Sequence, residues 1–123
     1  PQFPFGFGLS YTTFAYRDLH LATDKLRPGK NQTVSVRVKN TGHRPGQEVV
    51  QLYLQDEFGS VSRPVRELKG FRKLALRPGE ERELTFTLTP HDLSFIGVDD
   101  RRIVEPGVFK VMVGPLAKEF TLQ

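Results

Sequence analysis

Hydrophobic and polar residues alternate with a period of two along most of this chain. In TVSVRVK (33–39), Val34, Val36 and Val38 share one face while Ser35 and Arg37 share the other, the pattern of a half-buried strand. EVVQLYLQD (48–56) sets Val50, Leu52 and Leu54 against Gln51, Tyr53 and Gln55. RELTFTLTP (82–90) turns Leu84, Phe86 and Leu88 inward, and GVFKVMVG (107–114) does the same with Phe109, Val111 and Val113. EFTLQ supplies Phe120 and Leu122 as a short last strand. Two segments break the rhythm. Between Thr13 and Ala22 the apolar positions change parity, from Phe14 and Tyr16 to Leu19 and Leu21, which predicts a bulge near Arg17 and Asp18. LKGFRKLAL (68–76) holds Leu68, Phe71, Leu74 and Leu76, with Gly70 as a bend or bulge.

Turn chemistry separates these runs. Pro28-Gly29, Pro78-Gly79 and Pro106-Gly107 each precede a strand. Proline presets the first central angle of a type II turn, and glycine accepts the positive φ that follows. Asn40-Thr41-Gly42 ends the TVSVRVK strand, and one helical turn is expected at PHDLSF (90–95) with Asp92 as its cap. About seven short strands and no longer helix predict an all-β fold, an antiparallel β-sandwich whose core comes from the inward residues of two sheets.

A chain of 123 residues and 14.0 kDa is expected to form one domain, large enough to need no disulfide or metal staple. Cysteine is absent, which excludes disulfides, thiolate metal sites and a cysteine nucleophile. The net charge of +4 comes from bases interleaved with acids, as in Arg63, Arg66, Glu67 and Lys69. A nucleic-acid partner would call for one sign gathered on a face, so none is expected. Nor is a membrane partner, since no apolar run approaches the roughly 20 residues of a spanning helix.

The first residues raise a different question. Phe3, Phe5 and Phe7 alternate within PFGFGLSYT, which resembles no signal peptide, does not begin with Met and reads as the middle of a longer polypeptide. Burial of one such ring is worth about 1.5–3 kcal/mol. Two readings stay open: the rings anchor to other domains, or they fold back over the open end of the sandwich.

Candidate chemistry is sparse. His20, His43 and His91 show no paired spacing with a nucleophile, and no set of ligands suits zinc. Asp56-Glu57 and Asp99-Asp100 are the closest carboxylate pairs, but adjacent strand residues point to opposite faces and make no glycosidase pair. No catalytic residue, metal or cofactor is therefore expected. Tyr53 alone, without tryptophan, makes a poor sugar platform, and Asn31-Gln32-Thr33 matches the N-glycosylation acceptor pattern at the edge of a turn. SRPVRELKGF (62–71) crowds four long charged side chains beside Pro, Gly and Phe, more than a plain hairpin needs.

Four motifs in order, PFGFGLSYTTF, NTGHRPGQEVVQLYL, RPVRELKGFRKLALRPGE and VEPGVFKVMVG, resemble the fibronectin type III-like domain that ends many glycoside hydrolase family 3 enzymes, mostly β-glucosidases and β-xylosidases. The likeness runs from Pro4 to about Gly114 and departs from the commonest pattern at Phe95-Ile96, where many relatives carry an aromatic pair. It implies a fibronectin type III/immunoglobulin-like sandwich at residues 13–123, with residues 1–12 as an interdomain linker and docking segment. In such enzymes the nucleophile and the acid/base lie on a barrel and a following α/β domain, and neither motif is in this chain. The resemblance thus implies an accessory role, with the catalytic barrel and α/β domains as partners and Phe3, Phe5, Phe7, Tyr11, Arg63, Arg66, Glu67 and Lys69 as contact residues. The alternatives are a carbohydrate-adhering module that tethers an enzyme to polysaccharide, and a stand-alone adhesion or receptor-type sandwich. Localisation and sugar specificity do not follow from the sequence.

Overall fold

The computed structural model describes residues 12–57, 66–96 and 102–123. Among them run β1 (Phe14–Leu21), β2 (Lys25–Leu26), β3 (Gln32–Asn40), β4 (Gly46–Asp56), β5 (Arg66–Leu76), β6 (Glu81–Leu88), β7 (Phe95–Ile96), β8 (Arg102–Ile103), β9 (Gly107–Val113) and β10 (Leu116–Leu122). Three of these are two-residue strands, too short to carry a period; the other seven are those the alternation predicts. They form a three-stranded sheet, β1-β3-β6, a five-stranded sheet, β2-β10-β9-β4-β5, and the small pair β7-β8. All pairings are antiparallel except β2 with β10, which is parallel.

The inward faces meet as the alternation requires. Val34, Val36, Val38, Phe86 and Leu88 of the first sheet are buried against Val50, Leu52, Leu54, Phe109, Val111, Val113 and Phe120 of the second. Phe109 and Phe120 stack at 5.6 Å between centroids. Each such side chain contributes about 1.5–3 kcal/mol of burial, so the core rather than any single bond drives folding.

The irregular positions have local causes. The β1 bulge lies where the parity change predicts it, with a register shift between Arg17 and His20 and Asp18 at φ 56. Gly29 and Gly79 have φ of 82 and 79, as type II turns require. Gly107 departs from this expectation: it is the first residue of β9, at φ 149 and paired with Leu122. The expected cap at 90–95 is also displaced. Thr89, not Asp92, caps the turn, and Asp92 accepts from the Thr89 amide while Thr89 Oγ1 accepts from the Asp92 amide. This is a capping box with Asp at its third position.

Both open sides of the sandwich are closed by specific contacts. On the β5–β6 side, the Arg72 guanidinium lies 4.9 Å from the Phe86 ring centroid and donates to the Thr85 carbonyl. Gly70 leaves room for that ring, since a Cβ there would sit 3.2 Å from it. On the β1–β10 side, the Tyr16 ring lies against Gly114, whose missing Cβ would come within 2.8 Å. The Tyr16 hydroxyl donates to Glu48 at 2.8 Å, and burial together with that bond raises its pKa.

One fully buried polar residue joins four segments. Asn40 Nδ2 donates to the carbonyls of Arg44 and Leu76, and Oδ1 accepts from Thr12 Oγ1 and the Gly42 amide. A Cβ on Gly42 would collide with Thr12, so Asn-Thr-Gly is needed for packing as well as for turning. Replacing Asn40 by Ala strands a buried carbonyl and should cost about 2–3 kcal/mol in denaturant unfolding. Asn40→Asp keeps the shape but loses both donors, and is expected to be at least as destabilising.

Candidate functional site

Of the residues expected to make contacts, Phe3, Phe5, Phe7, Tyr11 and Arg63 lie outside the described residues. Arg66, Glu67 and Lys69 lie on β5, and a bulge decides where each points. Leu68 pairs with Tyr53 and Gly70 with Leu52, so Lys69 is an extra residue with no partner position on β4. Parity flips across it. Leu68 and Phe71, three residues apart, consequently both face outward with Val49, and the three are 46%, 54% and 47% exposed. The sequence pattern grouped Leu68 and Phe71 with the buried Leu74 and Leu76; the extra residue separates them.

The bulge also sorts the charges. Glu67 pairs with Leu54, an inward position, and its carboxylate lies 2.7 Å from Lys69 Nζ. That contact is an ion pair off the direction of a hydrogen bond, and the Lys69 side chain is only 10% exposed. Arg66 instead lies over the outer face. Its guanidinium is 5.6 Å from the Tyr53 ring centroid and 4.0 Å from Met112 Sδ. Tyr53, the candidate sugar platform, thus has one ring face covered. A shallow groove of about 470 Å³ runs beside it, lined by Tyr16, Val49, Tyr53, Arg66, Met112 and Leu116 among others.

The outer face of the three-stranded sheet is different in kind. Glu81 Oε2 accepts from Arg17 Nε at 2.6 Å, Oε1 accepts from Arg17 Nη2 at 2.8 Å, and Arg37 approaches at 3.5 Å. The Arg17 hydrogen bonds hold the Glu81 pKa down at about 2. His20, His43 and His91 are exposed, and no group of three His, Cys, Asp or Glu among the described residues is placed to hold a metal.

A family model described as fibronectin type III-like domain matches residues 48–117. The chain belongs to this family. Among the relatives of this fibronectin type III-like domain, a β-xylosidase of Formosa agariphila is 45% identical over 118 residues, covering 96% of this chain and 16% of that protein. β-Glucosidase BoGH3A of Bacteroides ovatus is 47% identical over 116 residues, covering 92% of this chain and 15% of the enzyme. The crystal structure of a β-glucosidase from Listeria innocua in complex with glucose superposes with a TM-score of 0.84 at 40% identity, over 98% of this chain and 17% of that one. A GH3 β-glucosidase from Bifidobacterium adolescentis gives 0.81 at 35% identity, over 98% and 18%. The resemblance to the domain carried by family 3 glycoside hydrolases therefore holds, and the chain spans about one-sixth of such relatives. The matched span runs from β4 into β10 and includes every outward apolar residue named above.

The Glu81 cluster gives a pH test of the opposite face. Because the folded-state pKa is depressed from 4.5 to about 2, its stabilisation is complete above the ordinary value and fades as pH falls through about 2. The melting-temperature advantage of wild type over Glu81→Gln should be present at pH 7 and shrink steadily below pH 4.5. Solvent screening keeps it small.

Proposed function

We propose that this chain is a non-catalytic accessory domain of a longer family 3 glycoside hydrolase, of β-glucosidase or β-xylosidase type, which packs against the catalytic domains and stabilises their arrangement. The observation that carries this reading is the share of the relatives it matches: nearly the whole chain aligns, yet it accounts for only about one-sixth of each enzyme. The partners are the barrel and α/β domains, and the docking set is the segment with Phe3, Phe5, Phe7 and Tyr11 together with Arg63 and Arg66. Glu67 and Lys69 act one step behind it, pairing with each other where β5 is bulged.

The position where the segment joins the sandwich supports the reading. Thr12 is held by Asn40, Thr13 Oγ1 shares a hydrogen bond with Thr41 Oγ1 at 2.7 Å, and the Thr41 amide donates to the Thr13 carbonyl. A linker clamped at its end transmits orientation between the bodies it joins, whereas a free one does not. Purified alone, the 123-residue chain should release no product from aryl glucosides or xylosides. Deleting it from the longer enzyme should lower that enzyme's unfolding temperature or solubility. Unchanged stability, solubility and kinetics after deletion would refute the packing role.

A further inference from the structure

The two outer faces of the sandwich are chemically unequal, and the inequality selects one of them for docking. On the three-stranded sheet the outward side chains are mainly Thr, Ser and charged residues, with Ala15 and His20 on β1 and with Glu81 already shared between Arg17 and Arg37. On β4 and β5 of the five-stranded sheet, the outward positions are Gln47, Val49, Gln51, Tyr53 and Gln55, opposite Ala75, Lys73, Phe71, Leu68 and Arg66. This set holds two cations, no carboxylate, and three large apolar side chains that are about half exposed. Farther across the sheet, Lys110 stands opposite Glu119 on β10, so its charge is matched within the domain.

We propose that the outer face of β4 and β5, centred on Leu68, Phe71, Val49 and Arg66, is the surface that docks onto the catalytic part of the parent enzyme, and that the partner surface is apolar with carboxylates at its rim. This rests on the accessory-domain reading above. The Arg66 guanidinium already rests on Tyr53 and Met112, so its planar fork loses less freedom on meeting a carboxylate than a side chain without such contacts. Phe71 and Leu68 supply apolar area beside it, the arrangement of an aromatic anchor next to an arginine.

Charge argues against two other occupants. Residues 1–11, PQFPFGFGLSY, contain no carboxylate to form an ion pair with Arg66 or Lys73. A second copy meeting this face about a two-fold axis would bring the same two cations, Arg66 and Lys73, toward their own copies, with Glu57, bonded to Gln55 just past the end of β4, as the acid at the rim. The bulge supports a purpose for the face, since without Lys69 as an extra residue Leu68 and Phe71 would fall on opposite sides of β5.

The test compares Leu68→Asp/Phe71→Asp and Arg66→Glu with Thr85→Asp, a control on the other outer face, each in the full-length enzyme and in the 123-residue chain. The expected result is a fall in the unfolding temperature of the full-length enzyme toward that of the domain deletion for the first two variants, a distinctly smaller change for the same variants in the 123-residue chain, and no such difference for the control. If deletion lowers the unfolding temperature but the face variants do not, the face is wrong and the accessory role stands. If deletion itself has no effect, both fall. An equal loss in the 123-residue chain would show that its own residues cover the face, and a dimer of that chain dissolved by the Phe71 substitution would show a second copy there. Either outcome overturns the proposal.

Discussion

A single buried amide organises the end of the sandwich from which everything else is positioned. Asn40 is fully buried and fully satisfied, with both donors and its acceptor oxygen in use. In the low dielectric of the interior these bonds reinforce one another, and losing one leaves an exposed dipole with nowhere to turn. The Asn40 backbone adds to the knot, donating to the Glu80 carbonyl and accepting from the Gly79 amide. Both sheets and the start of β1 are therefore locked at one point. Thr12, the first described residue, belongs to that knot.

The same economy operates in β5, where one inserted residue decides what the domain shows to its surroundings. Lys69 shifts the register against β4 and sends Leu68 outward beside Phe71. It also turns its ammonium toward Glu67, so the charge introduced by the bulge is neutralised within β5 itself. Gly70 then lets β5 pass over Phe86, and Arg72 closes over the ring from the edge. The sequence RELKGFR thus alternates duties residue by residue: outward cation, inward acid, outward aliphatic, bulge, close approach, outward ring and edge cover.

Alternation made most of this architecture legible in advance. Val34, Val36, Val38, Val50, Leu52, Leu54, Phe109, Val111 and Val113 are all buried where the period places them. Reading failed where the physics is not periodic. In LKGFRKLAL the irregular spacing pointed to a bend or bulge at Gly70, and the extra residue is its neighbour Lys69; hydrophobicity alone did not tell which of Leu68, Phe71, Leu74 and Leu76 face outward. Asn40 looked like turn punctuation, since a buried amide is distinguished from an exposed one only by partners distant in sequence, here Thr12 and Leu76. Gln32 is a second case: it is fully buried, with its side chain bonded to both backbone groups of Thr23. The Thr89–Asp92 box was half seen, with the acid recognised and the hydroxyl overlooked.

The unequal outer faces differ in what covering them would gain. On the three-stranded side, acids and bases satisfy each other along the sheet, and a surface so paired gains little by being covered because desolvating it offsets any new contact. On the β4–β5 side the outward strand positions carry two cations and no carboxylate, with apolar area between them, so covering that side would release water from Phe71 and Leu68 and offer Arg66 a partner. The sandwich itself is insulated from this exchange, since its core residues and its buried amides are satisfied before any partner arrives. In the proposed role, the gain on docking would come from that one incomplete face, with the fold's own stability left to the core.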